Sequence, residues 1–185
     1  MSIFNNFPVI DLGDIVLREL SEDDISDFLH YLNDPQVSKY MAEEDVPKNN
    51  ESALRELSYW KDLYKYRRSV YWGIAKSKTN KLIGTCGFNS WNSTNRRCEI
   101  SYDLSRKEWG QGIMNRSIKA LAEFAFIRMK VNRIQATVAH HNERSIKLLE
   151  RLNFQQEGVL RDYNILAKEK TNFYMYSLLS DELEF

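Results

Sequence analysis

The sequence predicts a mixed α/β protein of a single domain, residues 1–185, and three observations carry that expectation. Strand-like and helix-like segments alternate from one end of the chain to the other. The 185 residues suffice for one full core and fall short of two ordinary domains. A composition 43% hydrophobic and 28% charged supplies enough apolar side chain to fold.

The elements follow in order. IVLREL (15–20) alternates as a strand does. In SEDDISDFLHYLND, Ser21 followed three residues later by Asp24 matches a capping box, and Ile25, Phe28, Leu29 and Leu32 form one helical stripe. Asn33-Asp34-Pro35 ends that helix. A second helix is expected over about 50–66, with Leu54, Leu57 and Leu63. VYWGIAKS, KLIGTCGFNSW and RRCEISYDL then read as three strands separated by the turns KTN and NSTN. From 111 the period returns to 3.6, with Met114, Ile118, Leu121, Ala122, Ala125 and Met129 on one face. RIQATVAH (133–140) is a strand and NERSIKLLERLN a helix bearing Ile146, Leu149 and Leu152 on one side. FQQEGVLRDYNILAKEK and TNFYMYSLL close the chain as two more strands.

Composition also narrows the function. Lys plus Arg equals Asp plus Glu at 26 each, which points away from nucleic acid as a partner and away from a cationic polymer. The opening MSIFNNFPVIDLG has neither the basic nor the apolar region of a secretory signal, and no apolar run approaches the roughly 20 residues of a membrane span. A cytoplasmic location is therefore expected. Cys86 and Cys98 fall in neighbouring strands with WNS near their midpoint, so they are expected to face each other across a hairpin as free thiols. His140 and His141, adjacent after a strand, are expected to point to opposite sides, and no metal site is expected. Trp60, Trp72 and Trp91 with their tyrosine neighbours read as core or as a groove wall.

The stretch WGQGIM, between a strand and a helix, carries the most chemistry. Glycines let backbone approach a ligand, and the free N–H groups of a helix's first turn point at an anion. No phosphate-binding Gly-Lys-Ser/Thr pattern occurs, and a dinucleotide fingerprint would need glycine where Asn115 stands. An unliganded tight turn, or a cradle for ATP or NADH, remains open from the loop alone. HNERSIKLLERLNF then repeats the strand-to-helix arrangement, with Asn142 and Ser145 at the helix start.

In this order, IVLREL with EDDISDFLHYLNDPQV, CEISYDLSRKEWGQGIMNRSIKALAEFAF, and NERSIKLLERLNFQQEGVLRDY, the chain resembles the GCN5-related N-acetyltransferases (GNAT) of the RimJ/RimL ribosomal-protein type over nearly its whole length. The wider family's loop reads Gln/Arg-x-x-Gly-x-Gly/Ala; here Trp109, Gly112 and Met114 stand at the first, fourth and sixth places, in the W-G-x-G form familiar in that branch. The resemblance implies a twisted, mostly antiparallel sheet of about seven strands with helices on both faces. It implies acetyl-coenzyme A as cosubstrate, a primary amine as acceptor, direct transfer in a ternary complex, and a homodimer. The coenzyme contacts it implies are Leu104, Trp109, Gly110, Gln111, Gly112, Ile113, Met114, Asn142 and Ser145.

Amine acetylation needs a base for the ammonium and an acid for the departing thiolate. On an alternating strand Glu99, Ser101 and Asp103 share one face, and Cys98, Ile100, Tyr102 and Leu104 the other. Glu99 is the candidate base, matching the glutamate of the histone-acetylating branch; a strand glutamate paired with Arg96, Arg97 or another cation is the plain alternative. Many relatives place a tyrosine acid seven residues after the Asn142 position, where this chain has Leu149. The resemblance to RimL-like enzymes makes Ser145 the candidate acid, with a first-turn helix serine bonded to backbone as the plain alternative, and Tyr163 the third choice. The acceptor is open: a protein N-terminus, or a polyamine or antibiotic-type small amine drawn by the carboxylates of EEDV (43–46), Glu51 and Glu56. A module that binds acetyl-coenzyme A without turning it over is the rival from another class.

Overall fold

The computed structural model describes residues 6–183, so the first residues of MSIFNNFPVIDLG and both ends of the expected 1–185 domain lie outside the described residues. Eight strands form one sheet: β1 (Ile10–Asp11), β2 (Ile15–Arg18), β3 (Tyr71–Lys76), β4 (Leu82–Asn92), β5 (Arg97–Leu104), β6 (Arg133–Ala139), β7 (Gln155–Leu166) and β8 (Glu169–Leu179). Their spatial order is β1-β2-β3-β4-β5-β6-β8-β7, antiparallel throughout except for the parallel pair β5–β6. The expected mostly antiparallel α/β architecture is therefore present. The eighth strand is the two-residue β1, too short to carry an alternation that a sequence could display.

Helices cover both faces. On one face α4 (Ile113–Glu123) and α5 (Glu143–Arg151) pack on inward residues such as Trp72, Ile74, Ile100 and Ile134. On the other, α1 (Ile25–Leu32) and α3 (Asn50–Lys65) pack around Leu20, Tyr71 and Leu82. Tyr71 and Trp72 are consecutive on β3 and serve opposite cores, as the two-residue period of a strand requires. Trp60 of α3 stacks on Tyr71 with centroids 4.2 Å apart, and Trp72 is fully buried, so both tryptophans are core. Each fully buried aliphatic side chain on α4, such as Ile118 or Leu121, contributes about 1.5–3 kcal/mol.

Local chemistry sets the boundaries. The Ser21 N–H donates to Asp24 Oδ2 at 2.8 Å, while the same carboxylate is gripped by Arg18 at 2.7 and 2.9 Å. Asp34-Pro35 ends α1 and also starts the short α2 (Pro35–Ser38), because Asp34 Oδ1 accepts the Gln36 N–H at 2.9 Å and proline suits a first helical position. Asn49 caps α3 by accepting the Ser52 N–H at 2.9 Å.

Two hairpins differ from the sequence expectation. The β4–β5 register pairs Cys86 with Tyr102 and Cys98 with Trp91, so the two cysteines do not face each other. The turn falls at 93–96, stabilised by Asn92 Oδ1 accepting the Asn95 N–H at 2.8 Å, so that its centre lies beyond Asn92, the point midway between the cysteines. The final turn is Ala167-Lys168, both at positive φ (51° and 68°), where the residue pattern alone suggested a break at Lys170-Thr171. The pairing across β7–β8 holds both residues in that conformation without glycine.

Candidate active site

The parallel pair β5–β6 is matched over only three positions, Arg97 with Arg133, Cys98 with Ile134 and Glu99 with Gln135. Beyond Glu99 the strands part, and a cleft of about 1080 Å³ opens through the sheet between them. Backbone N–H and C=O groups on these facing edges are released from the ladder there, which leaves them available to a ligand.

After β5 the chain turns through Trp109 and two left-handed glycines, Gly110 (φ 79°) and Gly112 (φ 71°), into α4. A Cβ built on either glycine meets nothing within 4 Å, so the backbone here borders open space. The first helical bond of α4 runs from the Arg116 N–H to the Gly112 carbonyl at 3.1 Å, which leaves the N–H groups of Ile113, Met114 and Asn115 without an intrahelical acceptor. Their partial positive charge faces the cleft that these residues line. Trp109 is fixed by its indole N–H, which donates to the Leu104 carbonyl at 2.8 Å.

The opposite wall follows β6. Asn142 Oδ1 accepts the Ser145 N–H at 3.3 Å and so caps α5. That leaves the Ser145 hydroxyl to reach across the gap, where it lies 2.6 Å from the Tyr102 hydroxyl. Burial pushes the Tyr102 phenol up to about 12, with the Ser145 contact opposing it, so Tyr102 is protonated at neutral pH. Glu99 accepts from Thr137 Oγ1 at 3.1 Å and from Gln135 Nε2 at 3.3 Å, both on β6. It is therefore held by neutral donors, and the arginine pairing weighed above is not its environment.

Further along the α1/α3 face lies a network built from distant segments. Asp103 Oδ1 accepts from the Tyr31 hydroxyl at 2.6 Å and the Thr85 N–H at 3.1 Å, and Oδ2 from the Thr85 hydroxyl at 2.7 Å. Burial raises the Asp103 carboxyl above the ordinary range, with the hydrogen bonds opposing. Beside it Ser101 donates to Asn89 Oδ1 at 2.7 Å and lies 2.8 Å from the Tyr71 hydroxyl.

The cleft gathers Glu99, Leu104, the whole stretch Trp109–Met114, Asn142 and Ser145. Tyr163 is not among its lining residues: it sits on β7, 51% exposed, with its ring 5.4 Å from that of Phe173, which does line the cleft. The carboxylates of 43–46, Glu51 and Glu56 do not line it either. Glu43 and Glu51 are exposed and pair with Lys48 and Arg55, while burial raises the Glu56 carboxyl, with Asp45 and Asp103 adding to it. Both thiols are buried, their pKa values pushed up chiefly by that burial, and neither lines the cleft. The rings of His140 and His141 do not diverge but meet edge to face at 4.8 Å, because the strand ends at Ala139 and the chain turns there. No group of three or more His, Cys, Asp or Glu among the described residues is placed to hold a metal ion.

Tyr102 and Asp103 were not assigned roles from the sequence, for one reason. Alternation assigns Tyr102 to the face opposite Glu99, yet both border the cleft, because a strand edge that has lost its neighbour exposes residues of both faces. A tyrosine three residues after the glutamate is the only local signal.

A split between two parallel strands is thus flanked by two helix N-termini and lined by a carboxylate and a hydroxyl pair, an arrangement that suits group transfer from an anionic cosubstrate. The profile of the acetyltransferase (GNAT) domain matches residues 14–155, and the chain belongs to this family. It is 37% identical over 169 residues to an uncharacterized N-acetyltransferase, p20, of Bacillus licheniformis, covering 91% of this chain and 94% of that protein. It is 28% identical over 106 residues to the [ribosomal protein uS5]-alanine N-acetyltransferase of Escherichia coli, covering 57% and 55%. In fold it is similar to RimL, a ribosomal L7/L12 alpha-N-protein acetyltransferase solved with coenzyme A, with a TM-score of 0.86 at 20% identity over 95% of this chain and 99% of that one. The chain is accordingly an acetyl-coenzyme A dependent N-acetyltransferase, as its resemblance to the RimJ/RimL branch implied.

Proposed function

We propose that this chain, as one domain in the cytosol, transfers an acetyl group to the α-amine of a protein N-terminus, in a ternary complex within the split between β5 and β6. The observation that carries the reading is that split itself, with Glu99 and Tyr102 on β5, the Gly110–Gly112 loop and the α4 amides following that strand, and Ser145 across the gap on α5. Backbone N–H groups from Gln111 to Met114 hold the coenzyme pyrophosphate, Leu104, Trp109 and Gly110 border it, and Asn142 and Ser145 contact the other side. Acetyl-coenzyme A supplies the activated acyl group and a thiol leaving group.

An α-amine has a pKa of about 7.7–8.0 and is partly protonated at neutral pH. Glu99 takes the ammonium proton, directly or through one water, so that the nitrogen lone pair can form the C–N bond while the C–S bond breaks. Ser145 gives its proton to the departing thiolate and recovers, directly or through water, the second proton that the nitrogen sheds as the amide forms, with its hydroxyl aligned by Tyr102. Tyr163, outside the cleft lining, is the remaining candidate acid. Direct transfer is supported by the cysteines: both are buried away from the cleft with raised pKa values, so neither offers a thiolate to carry the acyl group.

A small amine drawn by the carboxylates of 43–56 is less supported, because none of them lines the cleft. The homodimer belongs to the same reading and is read out by light scattering. The test is titration calorimetry with acetyl-coenzyme A, ATP and NADH, followed by thiol release with peptides beginning in alanine or serine and with spermidine. Binding of acetyl-coenzyme A alone and turnover of the peptides are expected. Binding without thiol release from any amine would leave a non-catalytic coenzyme-binding module, and preference for ATP or NADH would overturn the reading.

A further inference from the structure

The two walls of the cleft touch at one place that the acetyl-transfer chemistry does not use. The guanidinium carbon of Arg144, in the first turn of α5, lies 4.1 Å from the ring centroid of Trp109, on the loop before α4. Both residues line the cleft, one following β6 and the other β5, so the contact bridges the gap that those strands leave open. The ring is the fixed partner. Its N–H is committed to the Leu104 carbonyl at 2.8 Å, and its body packs against both cores.

A guanidinium stacked on a ring uses its face for the contact and keeps its in-plane N–H donors free. Arg144 is exposed and, among the described residues, has no carboxylate or carbonyl partner; Trp109 is its contact. The other cations lining the cleft differ. Arg116 is engaged by Asp14 and the Leu12 carbonyl, Lys147 by Glu143, and Arg151 has no orienting contact among the described residues. A planar five-donor cation, aimed by an aromatic plate beside three open helix amides, suits a phosphate ester.

We infer that Arg144, oriented by Trp109, is a phosphate contact that closes the coenzyme end of the cleft. This rests on the acetyl-coenzyme A reading above. The pyrophosphate and the 3′-phosphate share the required chemistry, and the probe separates them.

The experiment is calorimetric titration of wild type, Arg144→Ala and Arg144→Lys with acetyl-coenzyme A and with its 3′-dephospho form, at low and high salt. Arg144 lies on the exposed surface of a helix, and circular dichroism checks that both variants are folded. The expected loss for Arg144→Ala is about tenfold to a hundredfold in affinity, the range of one hydrogen-bonded charge. The loss should shrink with salt, as screening requires. Arg144→Lys should recover part of it, keeping the charge and losing the plane. A loss that persists with the dephospho form assigns the pyrophosphate; a loss that vanishes assigns the 3′-phosphate. A wild-type Kd in Arg144→Ala, or a loss indifferent to salt, overturns the inference. Failure of the wild type itself to bind acetyl-coenzyme A overturns the reading beneath it instead, so the two failures are distinct.

Discussion

The two faces of the cleft are built by opposite strategies. The wall proposed to hold the coenzyme is made of backbone: Gly110, Gly112 and the first amides of α4 come from six consecutive residues, and Asn142 caps its own helix three residues on. The α1/α3 face is made of side chains that only the fold brings together. Tyr31 and Asp103 are 72 residues apart and Tyr71 and Ser101 are 30 apart, while across the split itself Ser145 of α5 reaches Tyr102 over 43. The difference is one of invariance. A pyrophosphate is the same whatever amine is acetylated and can be held by a short reusable segment, whereas an acceptor must be met by surfaces the fold assembles.

The largest effect expected from breaking the coenzyme wall is that of Gly112→Trp. An indole there would enter the open space above a left-handed backbone, and calorimetry should show acetyl-coenzyme A affinity reduced by about a hundredfold or more in a folded protein. Retained binding would show that the loop is merely a turn. Glu99→Gln keeps the Thr137 contact and removes the base; kcat is expected to fall about a hundredfold with coenzyme affinity unchanged, measured by thiol release. The pair Ser145→Ala and Tyr102→Phe sharpens the division between the walls. If the tyrosine works through the serine, the double variant should be no slower than Ser145→Ala, a loss of about tenfold in kcat.

The long-range face should answer in stability. Asp103→Ala strands the Tyr31 and Thr85 donors, and the expected loss is about 1–3 kcal/mol in denaturant unfolding. Because burial raises the Asp103 carboxyl in the folded state, its contribution is greatest below the unfolded value and is lost as pH rises through the folded one. Asp103→Asn should therefore flatten the stability profile on the alkaline side of the ordinary carboxylate range. The smallest effect belongs to the Arg133–Glu157 pair at the sheet's far side. Arg133, then Ser177, hold the Glu157 carboxyl down at about 2, so its contribution is present above the unfolded value and is lost as pH falls toward 2. The pair is substantially exposed, and Glu157→Gln should cost no more than about 1 kcal/mol.

The contrast between the walls also explains what could be read in advance. WGQGIM and HNERS announced their helix starts through glycine and asparagine, whose preferences act within a few residues, and the structure places both at the cleft. Tyr102 and Asp103 sat in a strand whose alternation was legible, but alternation sorts residues by face and is silent about where a neighbouring strand departs. The cysteine register was misplaced for a related reason. The turn itself was legible as NSTN, within one residue of its place at 93–96, but the irregularity between Phe88 and Ser90 that shifts the pairing has no strong local signature.

By itself the sequence determined the alternation of helices and strands, the apolar faces that build two cores, and the glycine loop that opens α4. These depend on period and on local backbone preference, which each segment carries within itself. Only the tertiary structure decided that β5 and β6 part after three matched pairs, that Ser145 meets Tyr102, that Arg144 lies on Trp109, and that Tyr163 and the acidic stretch stay outside the cleft. Those outcomes depend on the packing of segments tens of residues apart, where no single stretch holds both partners.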